Sequence, residues 1–263
     1  MLLSAIRSFH FLLSIAALIL VAESGRAPAF AQEPPHWSYS GEHGPSQWSD
    51  LDSSYATCST GKRQSPIDIK GAQEDASLKP IHFDYKPVPL KIINNGHTIL
   101  INYGSGSSVT VGGKTYSLVQ FHFHKPSEEE IGGKKYDMVV HLVHKLGDSL
   151  LVVGLLVNSG SDNSLIKTLW DNLPATENKE SEVAGVSINA NDLLPTDRNY
   201  YTFDGSLTTP PCSEGVHWYV MKSPIQFSLA QVAAFGKIYP ANARPVQATN
   251  GREIKESQLK PSK

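Results

Sequence analysis

The segment Gln120-Phe121-His122-Phe123-His124 constrains this chain more than any other. In an extended strand, alternate side chains share a face. His122 and His124 then point the same way, together with Gln120, while Phe121 and Phe123 point to the opposite face and into a core. A second run, Val139-Val140-His141-Leu142-Val143-His144, alternates in the same manner. Val139, His141 and Val143 share one face, and Val140, Leu142 and His144 share the other. A short charged loop, Lys125 to Lys135, joins the two runs and favours antiparallel pairing. His141 is thereby expected beside the His-Phe-His strand. Three neutral imidazoles and one open position make a catalytic zinc site, whereas structural zinc sites close all four positions. A lone strand histidine is more often a hydrogen-bonded core residue, but a His-x-His pair with a third histidine on the neighbouring strand favours ligation. His144 faces the wrong way for the ion and is assigned to packing or hydrogen bonding.

The rest of the chain reads as more of the same sheet. Leu90 to Asn94, Thr98 to Tyr103, Val109 to Val111, Ser117 to His124, Met138 to Lys145 and Leu150 to Asn158 are rich in β-branched and aromatic residues. Turn signals such as Asn95-Gly96, Gly112-Gly113 and Gly132-Gly133 separate them. Ser164 to Leu173 reads as a helix with Ser164 as its N-cap, and Ser228 to Ile238 as a second short one. Residues 32–65 read as an irregular arm. No repeat or linker divides the chain. The expectation is a mostly-β single domain on a large twisted, mainly antiparallel central sheet, with a few short surface helices.

Arg7, the apolar run Phe9 to Ala22 and the small-x-small sites Ala27-Pro28-Ala29 and Ala29-Phe30-Ala31 have the layout of a secretory signal peptide. The run is about 14 residues, short of the roughly 20 of a spanning helix, which disfavours the alternative of a membrane anchor. A cleaved leader over 1–31, a domain over 32–263, no membrane span in the mature chain and a periplasmic or secreted location are expected. A formal net charge of -2 leaves no basic excess for a nucleic-acid partner. The two cysteines, Cys58 and Cys212, suggest one disulfide in an exported chain, the alternative being two separate buried thiols. Such a bridge closes about 155 residues and contributes perhaps ~4–5 kcal/mol in the chain-entropy picture.

The blocks around His122 and His141, with Ser206-Leu207-Thr208-Thr209-Pro210-Pro211, resemble α-class carbonic anhydrase. Gln64-Ser65-Pro66-Ile67-Asp68, Asn94-Asn95-Gly96-His97 and Arg244-Pro245 match the same family, in family order, and the details after His-Phe-His resemble its bacterial branch. The resemblance implies a zinc lyase that reversibly hydrates CO2 to bicarbonate and a proton by zinc-bound hydroxide on His122, His124 and His141. It implies that Thr208 accepts the hydroxide proton and passes a hydrogen bond to a buried Glu128, with Glu129 and Glu130 left on the surface. It implies Thr209 and Thr208 against substrate, and an apolar CO2 wall of Val143, Val152, Leu207, Val216 and Trp218. His97 falls at the proton-shuttle position, with Tyr39 and Asn95 ordering the connecting waters and Gln120 serving His122. Sulfonamide and anion inhibitors are expected, and the resemblance is compatible with a homodimer.

Two positions depart from the family. Its members usually place a glutamate two residues before the third histidine, where this chain has Val139. Loss of such a partner typically costs about 10–100-fold in metal affinity or activity, so weaker or faster-exchanging zinc is expected unless a water or another side chain substitutes. Leu100 stands where relatives commonly carry Asn or Gln, removing a polar anchor from the proton path. A non-catalytic carbonic-anhydrase-like binding module is the competing reading, supported only by Val139. A zinc hydrolase acting on esters is the third, and no His-Glu-x-x-His peptidase helix is present.

Overall fold

A computed structural model describes residues 36–259. The expected leader over 1–31 lies outside the described residues. The six strand runs read from the sequence form as Val88–Asn94, Ile99–Asn102, Ser108–Val111, Lys114–His124, Met138–Leu146 and Ser149–Ser159. They belong to a 13-stranded sheet. Along it the neighbours run Val88–Asn94, Ile99–Asn102, Lys114–His124, Met138–Leu146, Ser149–Ser159, Glu214–Met221 and Tyr200–Ser206. The last two strands lie outside those six runs, although Val216, Trp218 and Val220 alternate with the less buried His217 and Tyr219.

The sheet is mixed, not uniformly antiparallel. Most neighbours are antiparallel, but Ser149–Ser159 runs parallel to both Glu214–Met221 and Ile225–Phe227. The chain between residues 159 and 214 is long enough for the crossover that parallel pairing requires. It carries the helix Ser164–Trp170 and the strands Ser181–Ile188 and Tyr200–Ser206. The cap lies one residue earlier than expected: the Asn163 side chain, not that of Ser164, accepts from the Ile166 amide, and Ser164 is the first helical residue. Ser228 does cap Leu229–Ile238, in a reciprocal box with Gln231.

The sheet buries both faces. One face joins Phe121, Phe123, Val140 and Leu142 to the main core. The other packs Val139, Val152, Val216 and Trp218 into a smaller cluster, with Val143 and Leu207 at its edge. A bulge decides which side chains of the His-Phe-His strand meet which cluster. Leu118 pairs with His144 and Gln120 with Val143, so Val119 is left over. Tyr116 and Leu118 therefore share the main core with Phe121 and Phe123 despite their opposite parity. The extra residue turns His122 and His124 onto the second face, the re-aiming that bulges produce beside functional sites.

Candidate metal centre

His122 and His141 lie directly opposite one another in the antiparallel register. With His124 they bring one ligand atom each to within 4.8 Å of one another. His124 and His141 are almost fully buried, and His122 is partly exposed. Each ring has one nitrogen engaged from outside. The Gln120 amide oxygen accepts from His122 Nδ1 at 2.8 Å. The Asn242 backbone carbonyl accepts from His124 Nδ1 at 2.7 Å. His141 Nε2 faces the Glu129 carboxylate, at 3.2 Å from Oε1 and 3.3 Å from Oε2. The inner nitrogens left over are Nε2, Nε2 and Nδ1. Outer hydrogen bonds of this kind fix the tautomer that a neutral ligand needs.

Glu129 corrects two expectations at once. It is fully buried, not on the surface, while Glu130 is partly exposed. It also gives His141 the acceptor that Val139 cannot provide. The chain folds the loop inward through Ser127, whose hydroxyl donates to the Glu129 carbonyl at 2.8 Å and accepts from the Tyr136 amide at 2.9 Å. Glu128 is fully buried as expected. Its Oε1 accepts from the Arg244 amide at 2.8 Å, and its Oε2 lies 3.5 Å from His124 Nε2 and 3.9 Å from His141 Nδ1.

The electrostatics fit a cation. Burial, with the charge of His141, holds His122 down at about 3 and lowers His124 well below the ordinary range, so both are neutral. Burial pulls His141 down too, but the charge and hydrogen bond of Glu129, with the charge of Glu128, outweigh it and raise that ring. Burial pushes Glu128 up to about 7; His141 opposes this, Glu129 adds to it, and hydrogen bonds from the Arg244 amide and the Thr208 side chain oppose it. Two adjacent carboxylates in a dry site demand positive charge nearby. His124 Nε2 and Glu128 Oε2 are buried without a hydrogen-bond partner. An imidazole-rich donor set with orphaned inward atoms beside two buried carboxyl groups suits a divalent transition metal such as zinc.

Val143, Val152, Leu207, Val216 and Trp218 come together in one cluster beside the triad. Val152 pairs with Val143 on one side and Trp218 on the other. The Trp218 ring meets His141 edge-on at 4.9 Å. Trp218 Nε1 donates to the Ser206 carbonyl at 3.1 Å. Gly205 lets this packing close, since a Cβ there would lie 2.8 Å from the indole. Thr208 is buried and Thr209 partly exposed, in the turn after Ser206. That turn is tied down by the Cys58–Cys212 disulfide, so the bridged reading of the two cysteines holds. Arg244 braces the same region, donating to Gln64 Oε1 and to the carbonyls of Ser65 and Cys58 at 2.7–2.9 Å.

His97 sits apart from the triad, half-buried. Its ring stacks on Trp37 at 3.6 Å and on His36 at 4.8 Å. Burial and the charge of His36 hold it down at about 4. Asn95 Oδ1 is occupied by the turn, accepting from the His97 and Thr98 amides. The Tyr39 ring lies edge-on to Trp37 and Trp48, and burial, with the charge of Glu128, raises its hydroxyl. Leu100 is directly opposite His122 on the adjacent strand.

Residues 43–258 match the family described as eukaryotic-type carbonic anhydrase. The chain belongs to that family. It is 42% identical over 245 residues to a carbonic anhydrase of Pectobacterium carotovorum, covering 92% of this chain and 98% of the relative. Among solved structures it is similar to a hyperthermostable carbonic anhydrase identified from a hydrothermal vent chimney, with 45% identity, a TM-score of 0.82, and 85% and 100% coverage of the two chains. It is likewise similar to the Thermovibrio ammonificans α-carbonic anhydrase in complex with sulfanilamide, with 40% identity, a TM-score of 0.79, and 84% and 98% coverage.

Three contributors to this carbonic anhydrase site escaped the sequence reading. Asn242 acts on His124 through its backbone carbonyl, a group every residue carries, so no sequence signal marks it. Arg244 was matched as a motif but given no role. Glu129 stood in plain view within a carboxylate run, where an irregular loop offers no period from which burial can be read.

Proposed function

We propose that this chain is a zinc-dependent carbonic anhydrase, hydrating CO2 reversibly to bicarbonate and a proton outside the cytoplasm after loss of residues 1–31. The observation that carries this is the set of three imidazoles, each anchored at its outer nitrogen and free at its inner one, beside an apolar wall. The domain over 32–263 contains every residue the reading needs, and among the described residues no helix is long and apolar enough to cross a membrane. The oxidised Cys58–Cys212 pair agrees with an exporting pathway.

His122 Nε2, His124 Nε2 and His141 Nδ1 would hold a zinc ion, which would supply Lewis acidity and a water acidic enough to serve as nucleophile at neutral pH. The chain's own residues do the rest. Val143, Val152, Leu207, Val216 and Trp218 exclude water and receive the apolar substrate. Glu128, fixed by the Arg244 amide, serves as the hydrogen-bond acceptor for the Thr208 hydroxyl. The Thr208 oxygen is then left as an acceptor, which orients the attacking group toward the wall. Thr209 lies next to it against the bound product. His97 carries the released proton to solvent, with Tyr39 and the Asn95 amide nitrogen ordering the waters between. From its stacked place, held at about 4, His97 takes no proton near neutral pH, so the ring must swing off Trp37 to work.

The test is CO2 hydration by the purified mature chain with and without a primary aromatic sulfonamide. Fast hydration that the sulfonamide abolishes supports the proposal. Absence of hydration in zinc-loaded protein contradicts it.

A further inference from the structure

We infer that Glu129 is the positioning residue for the third metal ligand, a carboxylate moved from the strand to the loop to replace the one that Val139 lacks. The inference rests on the metal-centre reading above and adds a residue role to it. Three observations carry it. Glu129 is fully buried, and a buried carboxylate needs a partner. Its Oε2 is hydrogen-bonded to His141 Nε2 at 3.3 Å, and its Oε1 lies 3.2 Å from the same nitrogen with no hydrogen bond of its own, so this ring nitrogen is its partner. The contact leaves His141 Nδ1 as the nitrogen turned toward the other two rings, completing the pattern set by Gln120 and the Asn242 carbonyl.

The exchange is coherent on both sides. Val139 lies on the His141 face of its strand, fully buried in the cluster of Val152, Leu156 and Trp218. With no carboxylate on the strand, His141 is flanked on that face by Val139 and Val143. The loop end is held by two structures. Ser127 ties the Glu129 carbonyl to the Tyr136 amide. One residue further, Glu130 and Ile131 pair in parallel with Asp68 and Ile69. Glu129 therefore stands on a braced loop, as an orienting group must to hold a ring in place.

The experiment measures zinc release from the holoenzyme to a chelator, for the wild type, Glu129→Ala, Glu129→Gln, Glu130→Ala and the double variant Glu129→Ala/Val139→Glu. Glu129→Ala should release zinc about 10–100-fold faster. Glu129→Gln keeps an acceptor for Nε2 and should fall between Ala and wild type, while Glu130→Ala should match wild type. The double variant returns a carboxylate to the strand and should recover slow release. A cobalt-substituted sample gives a second readout: its visible spectrum should change in Glu129→Ala and revert in the double variant. If Glu129→Ala does not fold, Glu129→Gln against wild type decides. Release from Glu129→Gln at the wild-type rate, with wild-type zinc tightly held, overturns the inference and leaves the metal centre standing. Wild-type protein that holds no zinc overturns both.

Discussion

His124 and His97 both touch Asn242, and there the likeness ends. The Asn242 carbonyl accepts a hydrogen bond from His124 Nδ1, and its side-chain amide donates to the His97 carbonyl at 3.0 Å. His124 is buried, with one ring nitrogen anchored and the other aimed at the triad. The His97 ring is half-buried and held by stacking; among the described residues its hydrogen bonds run through its backbone. The same side chain thus serves two chemistries. A ligand must be neutral, fixed and dry, and a proton carrier must be able to leave its resting place and gain a charge. The floor of the site meets the first need through burial and outer hydrogen bonds. In the proposed mechanism His97, taken as the rim, meets the second once its stack on Trp37 opens.

The largest expected effect is at the floor. His124→Ala should lose zinc and bring CO2 hydration to background; metal analysis beside the assay checks both, and stoichiometric zinc in the variant would break the distinction between floor and rim. At the rim, His97→Ala should keep its zinc yet turn over about 100-fold slower in dilute buffer, the low end of what a placed acid–base group contributes. Added imidazole should restore it. A variant that also loses zinc would mean that rim and floor are one unit.

Trp37→Ala sharpens the comparison further. Burial is the main reason His97 sits at about 4, so removing its stacking partner should raise the ring by up to about two units toward the ordinary value, read by NMR titration. A histidine with a depressed folded value stabilises the fold fully above the unfolded value, and that contribution is lost as pH falls from about 6.5 to about 4. Trp37→Ala should flatten this part of the acid unfolding curve, and an unchanged slope would assign the depression to something else. The smallest effect is at Leu100, opposite His122. Leu100→Asn should raise the rate in dilute buffer by no more than about fivefold, the worth of one added hydrogen bond of ~1 kcal/mol. No change at all would remove Leu100 from the proton path.

The triad was legible because strand periodicity is strict: His122, His124 and Gln120 share a face, and so do Val139, His141 and Val143. The six strand runs and the second helix were legible from local pattern as well. What sequence could not supply was the third dimension. The bulge at Val119 has no signature in its own residues, yet it sets which core the twin-histidine strand faces. The parallel pairing of Ser149–Ser159 with Glu214–Met221 depends on a crossover of more than fifty residues. Glu129 was misassigned because a run of three glutamates in a loop is normally solvated, and only the folded loop reveals which of them turn inward. Its carboxylate beside His141 Nε2 offers an acceptor where Val139 has none, which weakens the case for a non-catalytic domain.

The most direct test is a crystal of the zinc-loaded chain, with anomalous diffraction recorded at the zinc edge. One strong peak bounded by His122 Nε2, His124 Nε2 and His141 Nδ1 is the expected result. A peak elsewhere in the chain, or none at the triad in zinc-active protein, would contradict the account.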